Sequence, residues 1–195
     1  MSLSETTDIK RGRSPKMMIT VGVGVALAIA LITVVSVLTG GTVTNNKRNV
    51  LTTSALVGRH MKSWSLGGLN GGTVSAPWSS GHPSVLVFFG SFCGPCKSEM
   101  PELSAYLRTH STGSVDVVAM DADDKRGPAQ AMVKKDDVPV PVAFDPNGVV
   151  VTNIFGFEAV PESVFLNAQG VVKGVYLGAI PKSVFVDGLK LLKTT

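Results

Sequence analysis

Cysteine, histidine and charge are all scarce in this chain. Its 195 residues include two cysteines and three histidines, only 16% are charged, and none between Met17 and Gly40 carries a charge. His60, His82 and His110 have no spacing to Cys93 and Cys96 that resembles a zinc pattern, so no metal site is expected. Asp121, Asp123 and Asp124 lack the following Gly and Glu of a calcium loop and read as a solvated turn at a strand end. Formal net charge is +4, but Lys10, Arg11, Arg13 and Lys16 crowd the N-terminal flank and the bases from Lys47 to Lys62 are scattered. With no basic stripe interleaved with aromatics, nucleic-acid binding is not expected. No internal repeat is visible.

The uncharged run, MMITVGVGVALAIALITVVSVLTG, is long enough to span a hydrocarbon layer as a helix. Four basic residues precede it and only Lys47 and Arg48 follow closely, which orients the N-terminus to the cytoplasm and the rest of the chain outside. A cleaved signal peptide also has a basic start and an apolar middle. Here, however, the run ends Ser36-Val37-Leu38-Thr39-Gly40, without an A-x-A site, and it exceeds the usual apolar core of a signal peptide. No cysteine follows it to carry a lipid. The Gly22-x-Gly24 within the run is part of the anchor and not a nucleotide loop. The expected organisation is a cytoplasmic tail over 1–16, a transmembrane anchor over 17–39, a stem over 40–62 and one domain over 63–195.

That domain alternates strand-like and helix-like text. Val85–Phe89 and Val115–Met120 are short Val-rich apolar runs, as in strands buried on both faces. Between them Met100, Leu103 and Leu107 recur at helical spacing, so strand, helix and strand form a parallel crossover unit. Ser163–Leu166 and Val171–Tyr176 flank the turn Asn167-Ala168-Gln169-Gly170, a hairpin signal. Pro181 to Lys193 closes the chain with a helical apolar face at Val184, Phe185, Leu189 and Leu192. The expected fold class is α/β, a mixed sheet with helices on both faces. Trp64 and Trp78 read as packing residues, and Asp145-Pro146-Asn147-Gly148 as a turn.

Both cysteines fall in FFGSFCGPCKSEMP, where a buried strand hands over to a helix. A sulfur at a helix N-terminus faces unsatisfied N–H groups and the positive end of the dipole, which stabilises its thiolate. Cys93, at the cap and turned to solvent, is the expected nucleophile, and Cys96, a turn later and pointing inward, the resolving thiol. Pro95 suits the first turn and stiffens it. Pro101 removes a helix hydrogen bond, which needs a reason. The pair closes too short a loop to be a useful staple.

CGPCK followed by Pro101, on a helix after VLVFFGSF, with Val160-Pro161 ahead of SVFLNAQG, resembles the thioredoxin fold. More narrowly it resembles the membrane-tethered TlpA/ResA-type thiol-disulfide oxidoreductases, over about residues 63 to 193. In that resemblance SWSLGGLNGGTVSAPW corresponds to an N-terminal hairpin extension and Ala129 to Phe155 to an inserted segment. It implies a cis-proline at Pro161, the alternative being an ordinary trans proline. It also implies a substrate-binding surface from Phe92, Gly94, Pro95, Val160 and Pro161. Glu99 matches the acid three residues after the second cysteine, a candidate proton carrier, the alternative being a solvated helix-face glutamate. Departures are Val87 where thioredoxins proper carry Asp, Phe92 and Phe89 where relatives carry Trp, and Glu162 where Thr is common. A negative Glu162 would disfavour a Cys93 thiolate.

The expected activity is reduction of protein disulfides outside the cytoplasm by a CGPC dithiol/disulfide cycle, with no cofactor beyond the Cys93–Cys96 disulfide itself. The resemblance implies protein thiol and disulfide substrates, apocytochrome c among them, a membrane electron donor and a monomer. Three other readings share the cysteines: a disulfide-forming oxidant of the cell envelope, a copper-binding thiol module, and a peroxidase.

Overall fold

The structure, a computed structural model, describes residues 54–157 and 159–193. The expected tail and anchor, and the stem as far as residue 53, lie outside these residues.

A two-stranded antiparallel hairpin, β1 (Ser65–Gly67) and β2 (Thr73–Ser75), precedes a five-stranded sheet. The sheet comprises β3 (Ser84–Phe89), β4 (Asp116–Ala122), β5 (Val142–Asp145), β6 (Glu162–Leu166) and β7 (Val172–Leu177), in the order β5-β4-β3-β6-β7. Among the described residues the α-helices are α1 (Gly94–Thr109), α2 (Arg126–Lys135) and α3 (Lys182–Lys193). The pairs β3–β4 and β4–β5 are parallel, as strands joined by crossover helices must be, whereas β3–β6 and β6–β7 are antiparallel. The hairpin extends the far edge of the sheet through a bridge from Gly68 to Ala143.

Every residue of β3 is buried, because both faces of this central strand are covered. Val85 and Val87 pack with Leu103 of α1 and with Val184, Phe185 and Leu189 of α3, and Phe89 packs with Met100 of α1 and Ala129, Met132 and Val133 of α2. These three α-helices thus lie on one face. Both crossovers step in the same direction across the sheet, and right-handed crossovers in one direction place their helices together. The alternate residues Leu86 and Phe88 face a second core of Trp64, Trp78, Phe155 and Phe157. There the cover is a 3-10 turn at Pro77–Ser80 and a π-helical turn at Val151–Phe155, rather than an α-helix. Trp64 and Trp78 are packing residues, buried edge to face at 6.3 Å between centroids.

The end of the expected stem belongs to this second core. Leu56 and Met61 are buried, the N–H of Gly58 donates to the carbonyl of Val172 (2.8 Å), and the N–H of Met61 to that of Gly170 (2.9 Å). Residues 54–62 therefore dock along β7 rather than standing off the domain. Their text shows no sustained period because two isolated apolar anchors hold them, not a helix or strand face.

Candidate functional site: the Cys93–Cys96 pair

Cys93 is the N-cap of α1, with extended backbone (φ −81°, ψ 118°), and Pro95 lies in the first turn. Its N–H bonds the carbonyl of Gly90 (3.1 Å), and its sulfur accepts the N–H of Cys96 at 3.2 Å. The two cysteines form a disulfide, with Cα atoms 5.3 Å apart. Cys96 is fully buried and Cys93 is 8% exposed, less open than a solvent-facing cap would be, yet the more accessible sulfur of the two. Across from the pair, the carbonyl of Val160 lies 3.4 Å from the Cys93 sulfur, and the Val160–Pro161 peptide is cis. A reduced Cys93 would donate its S–H to that carbonyl; in the disulfide the sulfur has no proton to give. Helix α1 runs unbroken through Pro101.

Beside the pair opens a cleft of about 840 Å³, lined by Pro95, Val160, Pro161 and Glu162 and walled by Phe155 and Phe157. Leu56 and Arg59, from the docked end of the stem, form another wall. Of the residues the resemblance assigns to substrate binding, Pro95, Val160 and Pro161 line this cleft, and Gly94 stands exposed at the helix start. Phe92, 62% exposed, folds its ring back over Gly90, where any β-carbon would collide with it. The sequence offered no sign of the Leu56–Arg59 wall, since it comes from a segment that reads as a linker.

Three buried carboxyl groups lie on α1, β4 and β6, and burial raises the pKa of each, because a carboxylate is poorly solvated there. Glu99, one turn after Cys96 on α1, is 4% exposed; burial pushes it up to about 7 against the lowering effect of the Ile180 N–H, which it accepts at 2.9 Å. Its other oxygen is buried with no hydrogen-bond partner among the described residues. Glu99 is therefore a buried group that changes charge near neutrality, not a solvated helix-face glutamate. Glu162 is also buried and pushed up to about 8 by burial alone. Burial favours its neutral form at pH 7, which spares a Cys93 thiolate the repulsion that an ionised Glu162 would bring. Asp121, expected in a solvated turn, is fully buried, because β4 continues to Ala122 and pairs with β5 up to that point.

A CxxC pair between a central buried strand and a helix, on a mixed sheet of this order, is the arrangement of a thioredoxin-like thiol-disulfide oxidoreductase. Comparison with known proteins agrees. The sequence profile of the AhpC/TSA family matches residues 57–175, and the chain belongs to that family. The thiol-disulfide oxidoreductase ResA of Halalkalibacterium halodurans is 23% identical over 139 residues, 71% of this chain and 78% of that one. ResA of Bacillus subtilis is 25% identical over 124 residues, 64% of this chain and 69% of that one. Among solved structures, StoA from Bacillus subtilis superposes with a TM-score of 0.58 at 20% identity, covering 65% of this chain and 96% of that one. The chain is a thiol-disulfide oxidoreductase.

Proposed function

We propose that this oxidoreductase reduces protein disulfides outside the cytoplasm while tethered to the membrane by residues 17–39. The observation that carries the direction of attack is the difference between the two sulfurs: Cys93 reaches the surface at a helix N-terminus and Cys96 does not. In the reduced protein the Cys93 thiolate attacks a disulfide sulfur of the partner, forming a mixed disulfide and releasing one partner thiolate. Cys96, as thiolate, then attacks the Cys93 sulfur. The second partner thiolate leaves and takes up a proton, and Cys93–Cys96 becomes the disulfide. Glu99, three residues on along the same helix face, is suited to accept the Cys96 proton for this second step. Phe92, Gly94, Pro95, Val160 and Pro161 form the surface on which the partner chain lies.

The uncharged run supports the tether, and the basic residues before it support the orientation. Each cycle leaves the protein oxidised, so a membrane electron donor must return two electrons and two protons. No dissociable cofactor takes part, and the protein acts as a monomer. The likeness to ResA-type proteins supports apocytochrome c as a substrate. The test is capture: Cys96→Ser in the native membrane leaves Cys93 unable to be resolved, and its disulfide-linked partners are identified by mass spectrometry. Capture of proteins whose cysteines become oxidised when the gene is deleted is the expected result. If nothing is captured and the wild-type chain does not reduce insulin, the reading is wrong; if the captured partners instead lose disulfides on deletion, the protein is an oxidant.

A further inference from the structure

The loop from β3 to α1 is bonded by a carboxyl group that has no part in the exchange chemistry above. The ring of Phe92 lies over Gly90, the N–H of Cys93 bonds the Gly90 carbonyl, and the N–H of Ser91 donates to Oδ2 of Asp124, just beyond β4. The other Asp124 oxygen accepts the N–H of Lys125 at 2.6 Å. Next to Asp124 is Asp121, fully buried and paired in register with Phe89, which itself packs against Cys93 and Cys96. No N–H or O–H of the described residues reaches either Asp121 oxygen, and the carboxyl of Asp124 lies close enough to act on it. Two carboxyls can share a hydrogen bond only when one of them is protonated. The other charged groups acting on Asp121 are Arg126 and Asp145, and Asp123 and Lys125 flank Asp124 in the chain. The Arg126 guanidinium is held by the carbonyls of Gly68 and Leu69 and lies over the Phe144 ring, while the Asp145 carboxylate is occupied by the N–H groups of Val149, Val150 and Val151.

We propose that Asp121 and Asp124 are positioning residues for thiol-disulfide exchange: Asp124 clamps the loop that presents Cys93 through the Ser91 N–H, and protonated Asp121 holds Asp124 in place. Burial first, and then the neighbouring Asp124, push Asp121 up to about 8, with Asp145 adding to this and Arg126 opposing it. Above that pH the pair carries two negative charges in a poorly solvated site, repels itself, and lets the loop go. The clamp rests on Cys93 being the attacking thiol, so it needs a readout independent of turnover.

The test uses the full chain in detergent micelles, with three variants and two measurements. These are the rate of insulin reduction from pH 6 to 9.5, and the exchange protection of the Ser91 amide by NMR. Asp124→Ala should slow reduction at least tenfold at pH 7, acting on kcat rather than KM, and abolish Ser91 protection. Asp124→Asn, which keeps one acceptor oxygen, should recover most of both. Wild type should lose rate and Ser91 protection several-fold between pH 8 and 9.5, whereas Asp121→Asn, with no proton to lose, should show no such decline. Wild-type rate and unchanged Ser91 protection in Asp124→Ala overturn the clamp, as does the same decline above pH 8 in Asp121→Asn. If Asp124→Ala does not fold, the Asp121→Asn profile decides. A wild-type chain that reduces nothing but protects Ser91 below pH 8 refutes the reductase reading and leaves the clamp standing.

Discussion

Replacing Glu162 by Gln should stabilise the oxidised protein progressively as the pH rises, and do little near pH 4. The side chain is 4% exposed, sits on β6 at the floor of the cleft, and its pKa is pushed from 4.5 to about 8 by burial alone. Below pH 4.5 the carboxyl is neutral in both folded and unfolded chains, so it contributes no pH dependence. Between 4.5 and about 8 the unfolded chain releases a proton that the folded chain keeps, and stability falls by about 1.4 kcal/mol per pH unit. Above 8 the loss is complete, at most about 5 kcal/mol, and about 2 to 4 kcal/mol where the open side of the cleft admits water. Gln keeps the shape of the neutral acid and has no proton to lose. The assay is denaturant unfolding of the oxidised full chain in micelles at pH 4.5, 7 and 9. It is followed by fluorescence of Trp64 and Trp78, the only tryptophans in the sequence and both buried in the core on this face. Glu99 and Asp121 add to the wild-type slope with the same sign, so the quantity to read is the gap between variant and wild type. A gap that stays constant from pH 4.5 to 9 would refute the assignment of Glu162 as a buried acid of raised pKa.

Glu99→Gln should slow resolution of the mixed disulfide by about 100-fold while leaving the first attack by Cys93 intact. Stopped-flow measurement should show the adduct accumulating, without the rise in resolution rate through about pH 7 that the wild-type carboxyl confers; unchanged resolution kinetics would rule out a proton-carrying role. Gly188→Ala should destabilise the fold by about 1 to 3 kcal/mol, because a β-carbon there runs into the ring of Phe165 under α3. An unfolding midpoint at or above wild type would show that the ring has room to move. Asp145→Ala removes the acceptor of the Val149, Val150 and Val151 N–H groups that open the π-helical turn, and should cost about 2 to 3 kcal/mol in unfolding experiments, with Asp145→Asn intermediate.

Local pattern carried much of the fold. Continuous apolar text marked β3 and β4, and β3 is buried on both faces. The spacing of Met100, Leu103 and Leu107 marked α1, which runs over Gly94–Thr109, and the turn at Asn167–Gly170 marked the β6–β7 hairpin. The expected helices on both faces met only a 3-10 and a π-helical turn on the second face among the described residues, and two expectations about burial did not survive. Asp121 looked like part of a polar turn because Asp123 and Asp124 follow it, but β5 and α2 close over the end of β4 and bury it. The charge of Glu162 was open in the sequence, and burial beside Pro161 raises its pKa. Leu56 and Met61 looked like linker residues until β7 and the turn before it supplied partners for their backbone neighbours.

The sequence by itself determined the chemistry. Two cysteines spaced CGPC at a strand-to-helix junction make a redox couple, since local geometry brings their sulfurs together and the helix start favours a thiolate at the first. Tertiary structure alone decided the surroundings of that couple: which carboxyls are buried with raised pKa, and which backbone wall closes the cleft. Each of these depends on desolvation by segments distant in the chain. Ile180 contacts Glu99, Asp124 holds Ser91, and Arg59 and Leu56 line the same cleft as Glu162. A periodicity read within one element does not contain such information.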